Sequence, residues 1–110
     1  MKLAVVGSRN ISHLDMGVYL PRGVDEIVSG GAKGIDRLAA LYAKEQGIVL
    51  TEFFPDYVRY GKAAPLKRNE KIVMYADEAI AFWDGRSRGT AHVIGLFQRA
   101  RKRVTVILVE

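Results

Sequence analysis

The chain has 110 residues, 49% apolar and 26% charged, with a formal net charge of +5 and no cysteine. This length predicts one domain, residues 1–110, with a single core, and the lack of cysteine excludes disulfides and thiolate chemistry. The two histidines are far apart in the chain, so we expect no metal site and no cofactor. The N-terminal apolar run is too short for a signal peptide or a membrane span, so we expect a cytoplasmic protein without a membrane partner.

The first half of the chain predicts strands alternating with helices. Its elements are a strand at Leu3–Val6, a short helix over 14–22 with Asp15 as its cap, a strand at Asp25–Val28, a helix at Gly34–Gln46 ended by Gly47, and a strand at Ile48–Phe54 ended by Pro55.

The second half continues the alternation. Its elements are a loop over 55–64, a helix at Ala64–Ala76 with Pro65 in its first turn, a strand at Glu78–Trp83, a loop at Asp84–Thr90, a helix to about Arg101, and a strand at Val104–Val109. Basic residues near the end of the last helix suit its negative dipole end, so we interpret them as mainly structural; they are Arg99, Arg101, Lys102 and Arg103.

This alternation predicts an α/β fold: a mainly parallel five-stranded sheet flanked by helices, with strand order 3-2-1-4-5. Ligands of such sheets bind beyond the carboxyl ends of the strands, where the strand order reverses. The loops after the first, second and fourth predicted strands carry glycine, and they converge on that rim.

The segment Ser29–Asp36 contains Gly30, Gly31, Lys33 and Gly34 between a strand and a helix. Glycines let a ligand approach the backbone, and the N–H groups that open the helix favour an anion. The segment matches neither the dinucleotide fingerprint nor a P-loop. It predicts either a phosphate-binding loop or a tight turn without a ligand.

Two further loops are candidates for the same ligand. After the first strand comes Gly7-Ser8-Arg9, and after the fourth comes Asp84–Thr90, with Gly85, Ser87, Gly89 and Thr90. The bland alternatives are a turn at Ser8 and a capping loop in which Ser87 or Thr90 begins the next helix.

Arg68 and Asn69 interrupt the inward-facing stripe of the helix Ala64–Ala76. Buried polar groups need partners, so we expect them to contact ligand oxygens or buried carbonyls. The alternative is an ion pair of Arg68 with Asp36, Asp77 or Asp84. The Asp36 carboxylate either stabilises the following helix at the positive end of its dipole or binds a ribose hydroxyl.

Four aromatic or basic side chains are weaker candidates for the site. His92 is expected to be a surface or capping residue rather than a base. Tyr57 and Tyr60 are candidate aromatic walls of the site, and Trp83 is either a core residue or a base-stacking one.

These segments together resemble the SLOG superfamily, most closely the small YspA-like, cpYpsA-related group. The resemblance rests on the segments above and on Gly61-Lys62 and Ala76-Asp77, and it extends over nearly the full length. It implies a Rossmann-like fold that binds nucleotides or nucleotide-derived ligands.

The phosphoribohydrolase (LOG) branch of the superfamily suggests N-glycosidic hydrolysis. Arg68 lies nine residues before Asp77, as an arginine does there, and Gly89-Thr90 matches the branch's Gly-Thr. The branch's proline-glycine-glycine is replaced by Trp83-Asp84-Gly85, and its glutamate is absent around His92. The resemblance therefore implies Arg68 as a phosphoribosyl-orienting residue, with Asp84 or Asp36 as a substitute carboxylate.

The DNA-processing DprA branch shares the Gly-Ser-Arg turn, the Ser29–Asp36 loop and the Arg-Asn pair, and it suggests single-stranded DNA binding. We expect a nucleotide-derived small molecule, with hydrolysis possible, ahead of a non-catalytic sensor and of nucleic acid. LOG-type relatives pair through helices, and Leu66, Ile72, Val73, Met74 and Tyr75 exceed one apolar stripe, so we expect a homodimer.

Overall fold

The computed structural model describes residues 1–109 and contains five strands and four helices. The elements are, in order, β1 (Lys2–Gly7), β2 (Glu26–Ser29), α1 (Ile35–Gln46), β3 (Val49–Glu52), α2 (Tyr57–Tyr60), α3 (Ala64–Tyr75), β4 (Glu78–Trp83), α4 (Arg88–Arg99) and β5 (Val104–Leu108).

All neighbouring strands are parallel, and their order is β3-β2-β1-β4-β5. The predicted fold class and strand order are therefore confirmed. The central strand is β1, where Ala4 pairs with Val28 on one side and Ala79 on the other. The chain reverses its direction of travel across the sheet between β1 and β4, so the loops that follow these two strands meet at the ligand-binding rim of such folds.

The sheet is covered on both faces because alternate residues of each strand point to opposite sides. Ala4 and Val6 of β1 pack beneath α3 and α4, in a cluster that includes Phe97. Leu3 and Val5 face α1 and the segment between β1 and β2. This double burial explains the continuous apolar run of β1.

The short helix expected over 14–22 is wrong: only Met16–Val18 forms one 3-10 turn, and Asp15 makes no side-chain cap there. Gly17 and Pro21 interrupt the segment and Gly23 follows it, so a longer helix lacks both propensity and a backbone donor. The loop expected over 55–64 instead contains α2, because the Asp56 carboxylate accepts a hydrogen bond from the Arg59 N–H at 3.1 Å, and a second 3-10 turn at Gly61–Ala63.

The inward-facing stripe of α3 is shorter than the helical spacing of residues 62, 66, 69, 73 and 76 indicates. Asn69, Val73 and Ala76 are buried, whereas Lys62 and Leu66 are exposed. The apolar surface of α3 that is expected to form a dimer interface is also smaller than predicted. Ile72 and Val73 belong to the core, and of the large apolar residues named for the interface Leu66 and Met74 are exposed.

Element ends shift by a few residues: β3 ends at Glu52 and α4 at Arg99. None of the helices within residues 1–109 combines the length and apolarity needed to cross a membrane.

Candidate functional site

Ser8 joins three elements where the strand order reverses. It is fully buried, its N–H donates to the Phe82 carbonyl at 3.0 Å, and its own carbonyl accepts from the Ile35 N–H at 3.3 Å. Its hydroxyl accepts from the Asp84 N–H at 3.0 Å. Because every polar group of Ser8 has a partner in the protein, the residue fixes the rim and does not line a cavity.

Gly34 lets α1 begin against this junction. Its φ is +71°, and a Cβ there would lie 2.6 Å from the Arg9 carbonyl oxygen and still closer to that of Ser8. A side chain is therefore excluded both by backbone strain and by contact. The result is that Ile35 and Asp36 begin α1 directly beneath the loop that follows β1.

Two cavities open on the rim, and Arg68 lies between them. The inner cavity has a volume of about 110 Å³ and the outer one about 460 Å³. Both are lined by Arg9, Gly30, Ala32, Pro65 and Arg68. The two cavities thus share one wall, and a single elongated ligand could contact that wall from both sides.

The Arg68 guanidinium is half-buried and anchored by the protein itself. Its Nε donates to Asn69 Oδ1 at 2.9 Å, and its Nη1 donates to the Gly30 carbonyl. A Cβ on Gly30 would overlap this guanidinium and would have to displace it from its present position. Burial lowers the pKa of Arg68, while the nearby Asp36 carboxylate raises it; arginine stays charged at neutral pH in either case.

Among the described residues, no ion pair neutralises Arg68. Within residues 1–109 the ion pairs closer than 4.0 Å are Met1 with Asp25 and Lys67 with Glu70. The predicted alternative, in which Arg68 pairs with a carboxylate, is therefore not realised, and a buried carbonyl and the Asn69 amide take that place. The guanidinium retains its charge beside the cavities.

Asp36 faces the inner cavity and is only 7% exposed. Its Oδ2 accepts from the Ala32 N–H at 3.1 Å. Burial raises the pKa of this carboxyl above its usual value, and the bonds from Ala32 and Gly30 together with the Arg68 charge counteract part of the rise. Donors of the glycine segment are consequently used by an internal carboxyl group.

The Asp84 carboxylate belongs to its own loop. It accepts the N–H groups of Arg86 and Ser87, each at 2.8 Å, and the Ser87 hydroxyl at 2.9 Å. These hydrogen bonds hold its pKa well below the ordinary range. The indole N–H of Trp83 donates to the Ser87 carbonyl at 3.0 Å, which fixes the same loop.

Ser87 is the N-cap residue of α4, as one sequence alternative stated, but its hydroxyl bonds to Asp84 and not to the helix. The first-turn N–H groups of α4 therefore receive no side-chain cap from Ser87. Gly89 and Thr90 lie inside this first turn and line the inner cavity with Ser87. This turn offers backbone donors and the positive end of a helix dipole to an anion.

The outer cavity carries the larger share of positive charge. Lys33, in the loop before α1, and Arg37 of α1 line it together with Arg9 and Arg68, and Glu52 is a carboxylate of the lining. Tyr57 forms part of the wall and is 61% exposed. The predicted aromatic wall is thus present for Tyr57.

The structure brings most of the sequence-predicted site residues together. Nine line the inner cavity: Gly7, Arg9, Gly30, Asp36, Arg68, Asn69, Ser87, Gly89 and Thr90. Gly31 and Lys33 line the outer one. Neither lining includes Ser8, Ser29, Gly34, Gly85 or Asp84.

Several lining residues were not predicted. Arg37 and Ala40 were missed, although their three-residue spacing places them on one face of α1. His92 was expected at the surface or in a cap; it is half-buried, and its Nδ1 lies 3.1 Å from Asn69 Nδ2. No sequence pattern links these two, because they belong to different helices.

Within residues 1–109, no cluster of three or more histidine or acidic side chains is placed to hold a metal ion.

The model of the YspA, cpYpsA-related SLOG family matches residues 18–60 and confirms the SLOG resemblance. The matched segment contains the Gly30–Asp36 loop but ends before Arg68, Asn69 and α4. The searches of curated proteins and of solved structures return no match.

Proposed function

We propose that the two cavities together bind a nucleotide or a phosphorylated nucleoside derivative. The observation that carries the proposal is the Arg68 guanidinium, which is half-buried, fixed by Asn69 and Gly30, and not neutralised by a carboxylate within 4.0 Å in residues 1–109. A fixed charge of this kind suits an anionic ligand, since the planar guanidinium matches phosphate geometry. The SLOG resemblance is consistent with such a ligand.

The phosphate is proposed to bind in the inner cavity, between Arg68 and the first turn of α4. The uncapped first turn supplies N–H donors, and the Thr90 side chain contributes to the wall. We place the phosphate there rather than on the Gly30–Gly34 loop, because the Asp36 carboxyl already accepts from the Ala32 N–H. A second anion at that loop would have to displace it.

The remainder of the ligand is proposed to extend into the outer cavity. Asp36, which lines the inner cavity, then faces a sugar at the boundary between the two cavities, and Tyr57 in the outer cavity is available to the base. Lys33 and Arg37 would favour a ligand with further negative charge.

The test is a binding titration with nucleoside 5′-monophosphates, with adenosine as the phosphate-free comparison. Arg68→Gln should weaken adenosine 5′-monophosphate binding by ~1.5–3 kcal/mol, or about tenfold to hundredfold, because one charge-assisted contact is lost. Arg99→Gln is the matched control, since Arg99 is exposed at the far end of α4. Equal affinities in wild type and Arg68→Gln would contradict the proposal.

The titration also separates a pocket from single-stranded nucleic-acid binding. An oligonucleotide-binding surface would give no mononucleotide affinity, and the logarithm of its oligonucleotide affinity would fall with log salt at a slope of roughly −0.7 per phosphate contacted. Loss of charge at Arg99 would then matter as much as loss at Arg68. The pocket proposal predicts the opposite ranking.

N-glycosidic hydrolysis is a second candidate, favoured by the contact of Arg68 and Asp36 with the same cavity. Water would attack the sugar C1′, the bond to the base nitrogen would break, and free base and ribose 5-phosphate would form. The Asp36 carboxylate would stabilise the oxocarbenium-like charge. When adenosine 5′-monophosphate is incubated with the protein, chromatography should then show adenine with wild type and none with Asp36→Asn. If wild type produces no adenine, hydrolysis is refuted and only the binding proposal remains.

A homodimer through α3 is also proposed. Leu66 and Met74 of this helix are 46% and 83% exposed, although both are large apolar residues. Sedimentation at increasing concentration should show a dimer, weakened by Met74→Glu. A chain that sediments only as a monomer would contradict this.

A further inference from the structure

Asn69 connects Arg68 to a residue on another helix. The amide is 7% exposed and lies where α3 packs against α4. Its Oδ1 accepts from Arg68 Nε at 2.9 Å, and its Nδ2 lies 3.1 Å from Nδ1 of His92. The two ends of one side-chain amide therefore join the binding arginine to a histidine.

The donors and acceptors in this chain can be assigned in one way. Arg68 Nε carries a hydrogen and can only donate, so the group facing it must be the Asn69 oxygen. The Asn69 NH₂ group then points at His92 and must donate. It follows that Nδ1 of His92 is an acceptor, without a proton, and that a neutral ring carries its hydrogen on Nε2.

We propose that His92 is a positioning residue for Arg68: its unprotonated Nδ1 fixes the Asn69 amide, and this amide fixes the guanidinium for the ligand. The inference rests on the proposed function for its effect on binding. Its structural part, the state of the His92–Asn69–Arg68 chain, holds without any ligand.

Protonation of His92 breaks the chain. A hydrogen on Nδ1 would face the Asn69 NH₂ group, so two donors would meet. Rotating the amide would restore that contact but would turn NH₂ toward Arg68 Nε, which is again a donor. Acid therefore frees Arg68 from Asn69 and leaves Gly30 as its remaining anchor.

Three charged groups, each from a different helix, bear on the His92–Asn69–Arg68 chain. Arg68 of α3 is linked to His92 through Asn69, and Arg88 of α4 lies one helical turn before His92. Asp36 of α1 lines the same inner cavity as Arg68. Asp36 also changes charge on acidification, so the effect of His92 must be measured against a variant that keeps Asp36.

The ligand-free test is nuclear magnetic resonance of the side-chain nitrogens. At pH 8, His92 should show the Nε2–H tautomer, and Arg68 Nε–H should show a hydrogen-bonded resonance. On acidification this Arg68 resonance should disappear in wild type but persist in His92→Asn, whose Oδ1 replaces the Nδ1 acceptor and does not titrate. His13, the other histidine, is exposed and serves as the internal control. A His92 ring protonated on Nδ1 at pH 8 would overturn the inference, as would an Arg68 resonance insensitive to acid.

The binding test uses adenosine 5′-monophosphate with wild type, His92→Asn, His92→Phe and His13→Asn. At pH 8, His92→Asn and His13→Asn should match wild type, while His92→Phe, which lacks the acceptor, should bind about tenfold more weakly. The ratio of wild-type to His92→Asn affinity should then fall on acidification by up to about tenfold per pH unit, the limit set by one linked proton. The ligand's own titration cancels in this ratio.

The outcomes separate the two proposals. If Arg68→Gln binds the nucleotide as wild type does, the proposed function fails, and the Arg68 resonance still decides the inference. If Arg68→Gln loses binding but the wild-type to His92→Asn ratio does not change with pH, the positioning role of His92 is refuted and the proposed function survives.

Discussion

Replacing Lys102 by methionine should destabilise the protein although the residue is far from the candidate site. Its Nζ donates to the Val73 carbonyl at 2.6 Å and to the Ala76 carbonyl at 2.8 Å, with Met74 at 3.4 Å. These are terminal carbonyls of α3, which have no partner within the helix. Lys102 thus caps α3 from the segment that follows α4.

The expected loss follows from these contacts. Hydrogen bonds from a charged donor contribute ~1.5–3 kcal/mol, because a buried acceptor loses its partner when the donor is removed. Methionine keeps the apolar stem, so the packing contribution is largely retained. For a chain of this size the change corresponds to a fall in Tm of about 6–12 °C.

The assay is urea unfolding of Lys102→Met beside Arg99→Met, which removes an exposed cation from the last turn of α4. We expect Arg99→Met to lie within ~0.5 kcal/mol of wild type, as surface substitutions usually do. Equal stabilities of the two variants would show that the three carbonyl contacts contribute nothing, and would refute the capping role.

Two further substitutions test the rim. Burial raises the pKa of Asp36 in the folded protein, so a protonated Asp36 favours folding. This contribution to stability is lost as the pH rises from the pKa of Asp36 in the unfolded chain through its higher pKa in the folded protein. Asp36→Asn should therefore be more thermally stable than wild type at pH 7, and this gain should shrink toward pH 3. The exposed control Asp15→Asn should show no such pH dependence. A gain in Asp36→Asn that does not change with pH would contradict the raised pKa of Asp36. Gly34→Ala should cost roughly 2–5 kcal/mol in urea unfolding, from positive-φ strain plus overlap with the Ser8 and Arg9 carbonyls. Gly47→Ala, with a similar φ and nothing within 4 Å, should cost only the strain, roughly 1–2 kcal/mol; equal costs would refute the close approach.

The fold could be predicted because its signals are local. The apolar run of β1, Gly47 at the end of α1 and Pro65 in the first turn of α3 each have one structural meaning, and alternation of strands and helices then favours a parallel sheet. The 3-10 turn at Met16–Val18 was missed because sequence periodicity over 14–22 is weak and does not show how the segment packs on Phe82 and α1.

The candidate site was only partly predictable, because its decisive contacts join distant segments. The sequence identifies Arg68 and Asn69 as polar residues on an inward face of α3. It does not reveal that the Gly30 carbonyl accepts a hydrogen bond from Arg68, or that the His92 ring contacts Asn69. Within the basic group after α4, Lys102 has the expected structural role, yet it caps α3 and not α4 itself. Such partners follow only from how the helices pack.

The central claim, that a ligand phosphate binds between Arg68 and the first turn of α4, is tested most directly by amide resonance titration. With adenosine 5′-monophosphate, the N–H signals of Gly89 and Thr90 and the Nε–H signal of Arg68 should shift together and saturate with one Kd. Adenosine should leave Gly89 and Thr90 unmoved. Saturable nucleotide binding that leaves these three signals in place would contradict the account.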